Sequence, residues 1–441
     1  MTTWWCEHAW LPGIGVADGV LVKTEEGHIA AISVGAAPSA DSNRLHGLVI
    51  PGLANVHSHA FHRALRGRAQ HGAGDFWAWR NLMYDIAERL DPDSYCALAR
   101  VVFAEMALAG ITSVGEFHYL HHAPGGARYS DANAMGHALM NAAASAGVRL
   151  TLLDACYLTG GFGQPLQGPQ LRFGDGSADS WALRVEQLTE HEGVRIGAAI
   201  HSVRAVPLAE AEVAAVTAKR NDWPLHMHVS EQVAENEQCL AAYDRTPTQV
   251  LADAGALTAN STAVHATHLT GADIALLSKT GCGVCLCPTT ERDLADGIGP
   301  AGTLASQGVS LSVGSDSHAL IDLLEEARAV EMHERLSTNR RGRFDASALL
   351  RAATAVGHRA LGWPDAGVIA IGMRADLVAV DLESMRTAGA GASLDAVVFA
   401  ATAADVTDVV VDDRHVVRDR QHLLIDDVAR ELATSIAAVL P

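Results

Sequence analysis

The chain has 441 residues, of which 49% are hydrophobic and 19% charged, with a formal net charge of −19. A chain this long exceeds a single core, and without a long apolar run it offers no candidate membrane-spanning helix. The acidic field repels phosphate backbones and no Lys/Arg run offsets it, which argues against nucleic acid as a partner.

The N-terminal stretch "MTTWWCEHAWLPG" has neither the basic region nor the apolar core of a secretory signal, so a cytoplasmic protein is expected. Seven scattered cysteines are an odd number and do not resemble a disulfide framework; free thiols are expected. Residues 1–50 alternate short β-like runs such as "GVLVKTEEGHIAAISV" with Gly and polar turns, the pattern of a small β unit.

From "LVIPGLANVHSH" onward, short apolar runs alternate with Ala/Leu/Glu-rich segments. The later runs are "GITSVGEFHY", "VRLTLLDACYL", "VRIGAAIHSVRAV", "PLHMHVSE", "STAVHATHL", "CGVCLCPTT" and "VSLSVGSDSHA", eight in all. Eight strand-helix alternations predict a closed parallel (β/α)₈ TIM-like barrel over residues 51–364, with a doubly wound open sheet as the alternative. "PLAEAEVAAVTAKR" and "DLLEEARAVEMHERL" carry apolar residues at helical spacing between those runs. The longest loop-like stretch, Gly160 to Gly176, is a candidate border of a site. After residue 365 the runs "GVIAIGMRADLVAVDL" and "AVVFAATAADVTDVVVDDRHVV" return to β periodicity before a final amphipathic helix. Residues 1–50 and 365–441 are expected to pair into one small β-sandwich domain.

In a parallel barrel, functional side chains sit at the C-terminal strand ends. Here those ends carry His57 and His59, then Glu116, His118 and Tyr119, His201 and Arg204, His226, His228 and Glu231, His265 and His268, and finally Asp316 and His318. One such histidine is ordinary core or rim; this many together point to a metal. His57 and His59 are two residues apart, so both imidazoles point to one side of a strand. Three neutral imidazoles and one carboxylate make a mononuclear Zn²⁺ or Fe²⁺ site with a position left for water, and His57, His59, His228 and Asp316 are the candidate set. The "CGVCLC" stretch invites a zinc reading, but no second CxxC completes four ligands, and Cys in a buried strand acts as a small apolar residue.

"HSH", "HVSE", "VHATH" and "GSDSH", in that order, resemble the amidohydrolase superfamily, and specifically its deaminase branch. "GMRADLVAVD" extends the resemblance into the returning β unit. The resemblance implies one divalent metal per subunit, zinc or iron(II), held by His57, His59, His228 and Asp316, with Glu231, His265 and Asp316 handling protons. His226 and His268 are the alternatives to His228 and His265. Within the superfamily, "HSHAFHRA", "WAWRNLMY", "EFHYLHH", "HSVRAV" and "CPTTERDLADG" resemble the formimidoylglutamate deiminases. That finer likeness implies a small dicarboxylate substrate gripped by Arg80, Tyr119 and Arg204 with His201 nearby, and a homodimer as family habit. Arg204 presents a planar fork suited to a carboxylate, and the likeness departs at His62, where Gln is common.

Overall fold

A computed structural model describes residues 1–69 and 76–440. The eight apolar runs form eight strands: β1 (Leu53–Ser58), β2 (Ile111–His118), β3 (Arg149–Cys156), β4 (Val194–Ile200), β5 (Leu225–Val229), β6 (Ser261–His265), β7 (Gly283–Leu286) and β8 (Leu311–Val313). They pair in parallel and in chain order. A parallel bridge between Ser58 and Asp316 closes the ring, and the Asp316 amide donates to the His57 carbonyl at 2.9 Å. The chain is therefore a (β/α)₈ barrel. Residues of β1, β2 and β3 are buried on both faces, by the barrel interior and by the helix layer, which is why their sequences are continuously apolar.

Helix starts follow local chemistry. Before the helix Pro92–Leu108, the Asp91 carboxylate accepts from the Ser94 amide while the Ser94 hydroxyl accepts from the Asp91 amide, a reciprocal capping box with Pro in the first turn. The helix Leu323–Thr338 starts on Asp322, which accepts from the amides of Leu324 and Glu325, and stops at Asn339 in the left-handed region. No helix among the described residues is long and apolar enough to cross a membrane. None of the seven cysteines forms a disulfide.

The chain termini build one mixed eight-stranded sheet. Its order is Gln421–His422, Arg414–Arg418, Val406–Val411, Leu377–Val380, Asn43–Pro51, Thr2–Leu11, Gly15–Glu25 and His28–Ser33. Trp4, Cys6, Val20, Val22, Leu45, Val49 and Leu377 fill its own core. The run "LVIPGLANVHSH" divides between the two sheets at Gly52, where a β-carbon would lie 2.2 Å from the Thr112 hydroxyl oxygen. At the base of the barrel, Arg149 opens β3 and reaches Asp412 at 2.8 Å and both carboxylate oxygens of Asp376, tying barrel to terminal sheet. The final helix, Val428–Val439, packs on Pro92–Leu108 rather than on the terminal strands, and Arg100 pairs with Glu431 there.

Candidate active site

The strand ends converge as the (β/α)₈ geometry requires. The Asp316 Oδ1 lies 3.3 Å from His57 Nε2 and 3.4 Å from His59 Nε2, and His228 Nε2 lies 3.0 Å from His57 Nε2. His59 Nδ1 donates to the Phe117 carbonyl at 2.9 Å, and His228 Nδ1 donates to the His201 carbonyl at 2.7 Å. A carbonyl only accepts, so both rings must carry their proton on Nδ1 and aim an Nε2 lone pair at the shared centre. Burial pushes the pKa of His57, His59 and His228 well below the ordinary histidine value, which leaves them as the neutral, ligating form. Lone pairs so placed repel one another unless a cation lies among them. The donor set fits a divalent ion with a coordination position to spare.

Backbone strain accompanies this convergence. His265 (φ 67°), Asp316 (φ 42°) and Ser230 (φ 51°) all occupy the left-handed region, which costs a non-glycine residue of order 1 kcal/mol each. The surrounding barrel holds them there, and the His265 and Asp316 side chains line the cavity.

His265 stands beside the cluster. Its ring stacks on His228 with centroids 5.6 Å apart, and its Nε2 lies 3.7 Å from Asp316 Oδ2 and 3.9 Å from Glu231 Oε1. Its Nδ1 faces Glu291 at 3.6 Å. Burial alone lowers the pKa of this imidazole; the Glu231, Glu291 and Asp316 carboxylates outweigh it and hold the ring well above the ordinary value. His268 faces elsewhere, with Nε2 bonded to the Asp296 carbonyl at 2.7 Å. His226 lies lower in the barrel, bonded to the Ala360 carbonyl at 2.9 Å.

A cavity of about 310 Å³ opens over the cluster and brings together His59, His228, Asp316, Glu231 and His265 with His62, Arg80, Tyr119, His201 and Arg204. His57 sits behind them as the floor, fully buried. His62 Nε2 lies 2.8 Å from the Tyr119 hydroxyl, and burial lowers its pKa to about 3. Arg80 packs over the Tyr84 ring, 5.4 Å from its centroid. Arg204 lies 3.6 Å from Glu231 Oε2 and 3.8 Å from Glu235 Oε2.

Other strand-end groups point away from the cavity. Glu116 accepts from the Ala60 amide at 2.6 Å and the Ser58 hydroxyl at 2.7 Å, and the Ser58 hydroxyl also meets His318 at 3.0 Å. His118 turns outward against His121 at 3.3 Å. The structure adds wall residues that strand-end reasoning missed: Glu235, Tyr157, Gln170 and Tyr84. Glu235 comes from the first turn of the helix Val233–Tyr243, just past Glu231. Gln170 comes from the Gly160 to Gly176 loop, which does border the cavity.

A parallel barrel with this His-and-Asp cluster at its C-terminal mouth is a hydrolase architecture whose donors could hold a divalent metal, and the chain belongs to the amidohydrolase family, whose model matches residues 48–416. Among curated proteins, it is 37% identical to a formimidoylglutamate deiminase of Pseudomonas aeruginosa, over 96% of this chain and 94% of that one. It is 30% identical to a 5-methylthioadenosine/S-adenosylhomocysteine deaminase of Halobacterium salinarum, over 97% of this chain and 95% of that one. Among solved structures, an amidohydrolase from Brucella melitensis superposes with a TM-score of 0.92 at 33% identity, covering 100% of both chains.

Proposed function

We propose that this chain hydrolyses N-formimino-L-glutamate to N-formyl-L-glutamate and ammonia, a deimination in histidine degradation. The observation that carries the reading is the presence of two guanidinium groups, Arg80 and Arg204, in the wall of the cavity that holds Glu231, His265 and Asp316. A planar guanidinium fork matches a carboxylate, and this substrate has two. The likeness to the Pseudomonas deiminase supports the same choice.

His57, His59, His228 and Asp316 would hold one divalent metal per subunit, zinc by donor set with iron(II) as the alternative. When bound, it supplies Lewis-acid activation of water. The chain's own groups do the rest. Arg80, Arg204 and Tyr119 fix the two carboxylates, with His62 and His201 shaping the wall, so that the formimino carbon faces Asp316. Asp316 takes one proton from water at Oδ2, and Glu231 delivers protons to the imino nitrogen. His265, held protonated among its carboxylates, stabilises the charge that develops at the attacked carbon. The water oxygen ends in the formyl group and its two protons end on the departing nitrogen, which leaves as ammonia. The active unit is a homodimer in the cytoplasm that takes a small dicarboxylate as its only partner.

The test is ammonia release from N-formimino-L-glutamate beside formiminoglycine, which lacks the second carboxylate, and a panel of nucleosides and nucleobases. Turnover is expected with the dicarboxylate, and Arg204→Ala should lower kcat/KM by about 30- to 1000-fold, the value of about 2–4 kcal/mol for a desolvated charge pair. Equal turnover of formiminoglycine, or indifference to Arg204→Ala, removes the clamp from the mechanism. Turnover of a nucleoside alone rejects the proposed substrate and keeps the metal chemistry.

A further inference from the structure

The two oxygens of Asp316 face different groups. Oδ1 meets His57 and His59 at 3.3 and 3.4 Å, whereas Oδ2 meets His265 at 3.7 Å. The structure brings in a further donor from "CGVCLC": the Cys287 thiol, whose sulfur lies within 4.8 Å of a ligand atom of His265 and of Asp316. All three residues are buried, and Cys287 is fully so. Cys285, two residues back, is fully buried as well. Both cysteines belong to the apolar plug inside the barrel, with Val56, Val264 and Trp363. The strand alternation that faces residue 285 inward does the same for 287, and the end of β7 lifts Cys287 to the level of the metal ligands.

We propose that Cys287, His265 and Asp316 form a second cation site beside the first, taking a thiophilic divalent ion such as Zn²⁺ or Cd²⁺ when metal exceeds one per chain. Asp316 would bridge the two ions through its two oxygens. A sulfur, an imidazole nitrogen and a carboxylate oxygen are the donors such ions select, and a thiolate favours them over Mg²⁺ or Ca²⁺. The Cys287 thiol and the His265 imidazolium each give up a proton on binding. Glu291, 3.6 Å from His265 Nδ1, helps to fix the orientation of the ring. Occupation ties up His265 and Asp316, so the second ion inhibits. The inference does not depend on which substrate the enzyme turns over.

The experiment is titration of the zinc-loaded, full-length protein with CdCl₂, reading total metal per chain and the ultraviolet thiolate-to-cadmium charge-transfer band. The expected result is a rise from one ion per chain to two, with the zinc retained and the band growing in step; activity falls as the band grows and returns after brief chelation. Cys287→Ser should keep the first ion and lose the band, and Cys287→Ala should also lose the second ion. Cadmium replacing zinc at a total of one ion, or a band that survives in both variants, overturns the proposal. If neither variant retains the first ion, X-ray absorption of cadmium in the wild-type protein decides: a sulfur neighbour supports the site, and a shell of nitrogen and oxygen alone rejects it.

Discussion

Glu116 shows how a charge-bearing residue serves the site without entering it. It is fully buried under β1, and burial raises its pKa from the ordinary 4.5 to about 8, against the opposing pull of the Ala60 amide and the Ser58 hydroxyl. The folded protein therefore holds the acid neutral at a pH where the unfolded chain has released the proton. Between about 4.5 and about 8 the folded state binds one proton more, so the stability due to this group is complete below the lower value and is lost as pH rises to the upper one. The slope is at most about 1.4 kcal/mol per pH unit. Glu116→Gln keeps a neutral acceptor in place and removes the slope. Thermal unfolding of the two metal-loaded proteins should show the Tm of the variant gaining on that of the wild type between pH 5.5 and pH 8. A Tm difference that does not change with pH would mean that Glu116 is ionised in the fold. Strand-end position alone did not distinguish Glu116 from Glu231, since both follow apolar runs; the HVSE motif did. Only the register of β2 against β1, which sets Ser58 opposite Glu116, turns the first away from the cavity. The metal candidates were legible because strand alternation and chain order alone converge them; Glu235 and Tyr157 were not, because their places depend on how a helix and a third strand end lean over the mouth.

At the scale of elements, the closure of β8 on β1 carries the candidate metal site. The two strands meet through backbone contacts around His57 and Asp316, and that approach is possible because Gly314 has no side chain: a β-carbon there would lie 2.8 Å from both the amide nitrogen and the carbonyl oxygen of His57. Neither atom belongs to a flexible side chain, so strand β8 itself must shift. Overpacking of this kind costs about 1–3 kcal/mol and displaces the neighbouring backbone. Gly314→Ala should therefore lower metal content below one per chain and lower Tm, with His57 and Asp316 no longer in register. Full metal occupancy in that variant would show that the seam between β8 and β1 tolerates separation. The strands were readable as apolar runs because each is buried on both sides. The boundary within the first run was not: Leu48, Val49 and Ile50 are as fully buried in the terminal sheet as Leu53 and Ala54 are in the barrel, so hydropathy carries no break at Gly52.

The whole molecule is held together at the end of the barrel remote from the chemistry. Arg149 is buried, pairs with both oxygens of Asp376 and with Asp412, and stacks over Trp363 at 5.4 Å, where Arg195 and Arg374 also meet the ring. Asp376 lies just before the strand Leu377–Val380 of the terminal sheet and also accepts from the Asp412 amide at 3.1 Å, so this one network joins the two sheets. Burial works against the Asp376 charge, yet the Arg149 guanidinium holds its pKa below the usual carboxylate value. Removing the arginine leaves that carboxylate buried without its main partner, a change that costs about 3–5 kcal/mol when one member of a buried pair is lost. Arg149 begins β3, and the cavity lies at the other end of the strands, about 23 Å away at the rise of an extended chain. Arg149→Ala should therefore lower Tm sharply and speed proteolysis at the junction of the sheets, while the protein that remains folded keeps its metal and a kcat/KM within about two-fold of wild type, since the strand-end geometry is set above the lesion. Arg149→Ala combined with Asp376→Asn should recover part of the lost stability, because the second change removes the stranded charge. If the double variant is no more stable than Arg149→Ala, the arginine acts through its packing on Trp363, and the ion pair contributes little to joining the sheets.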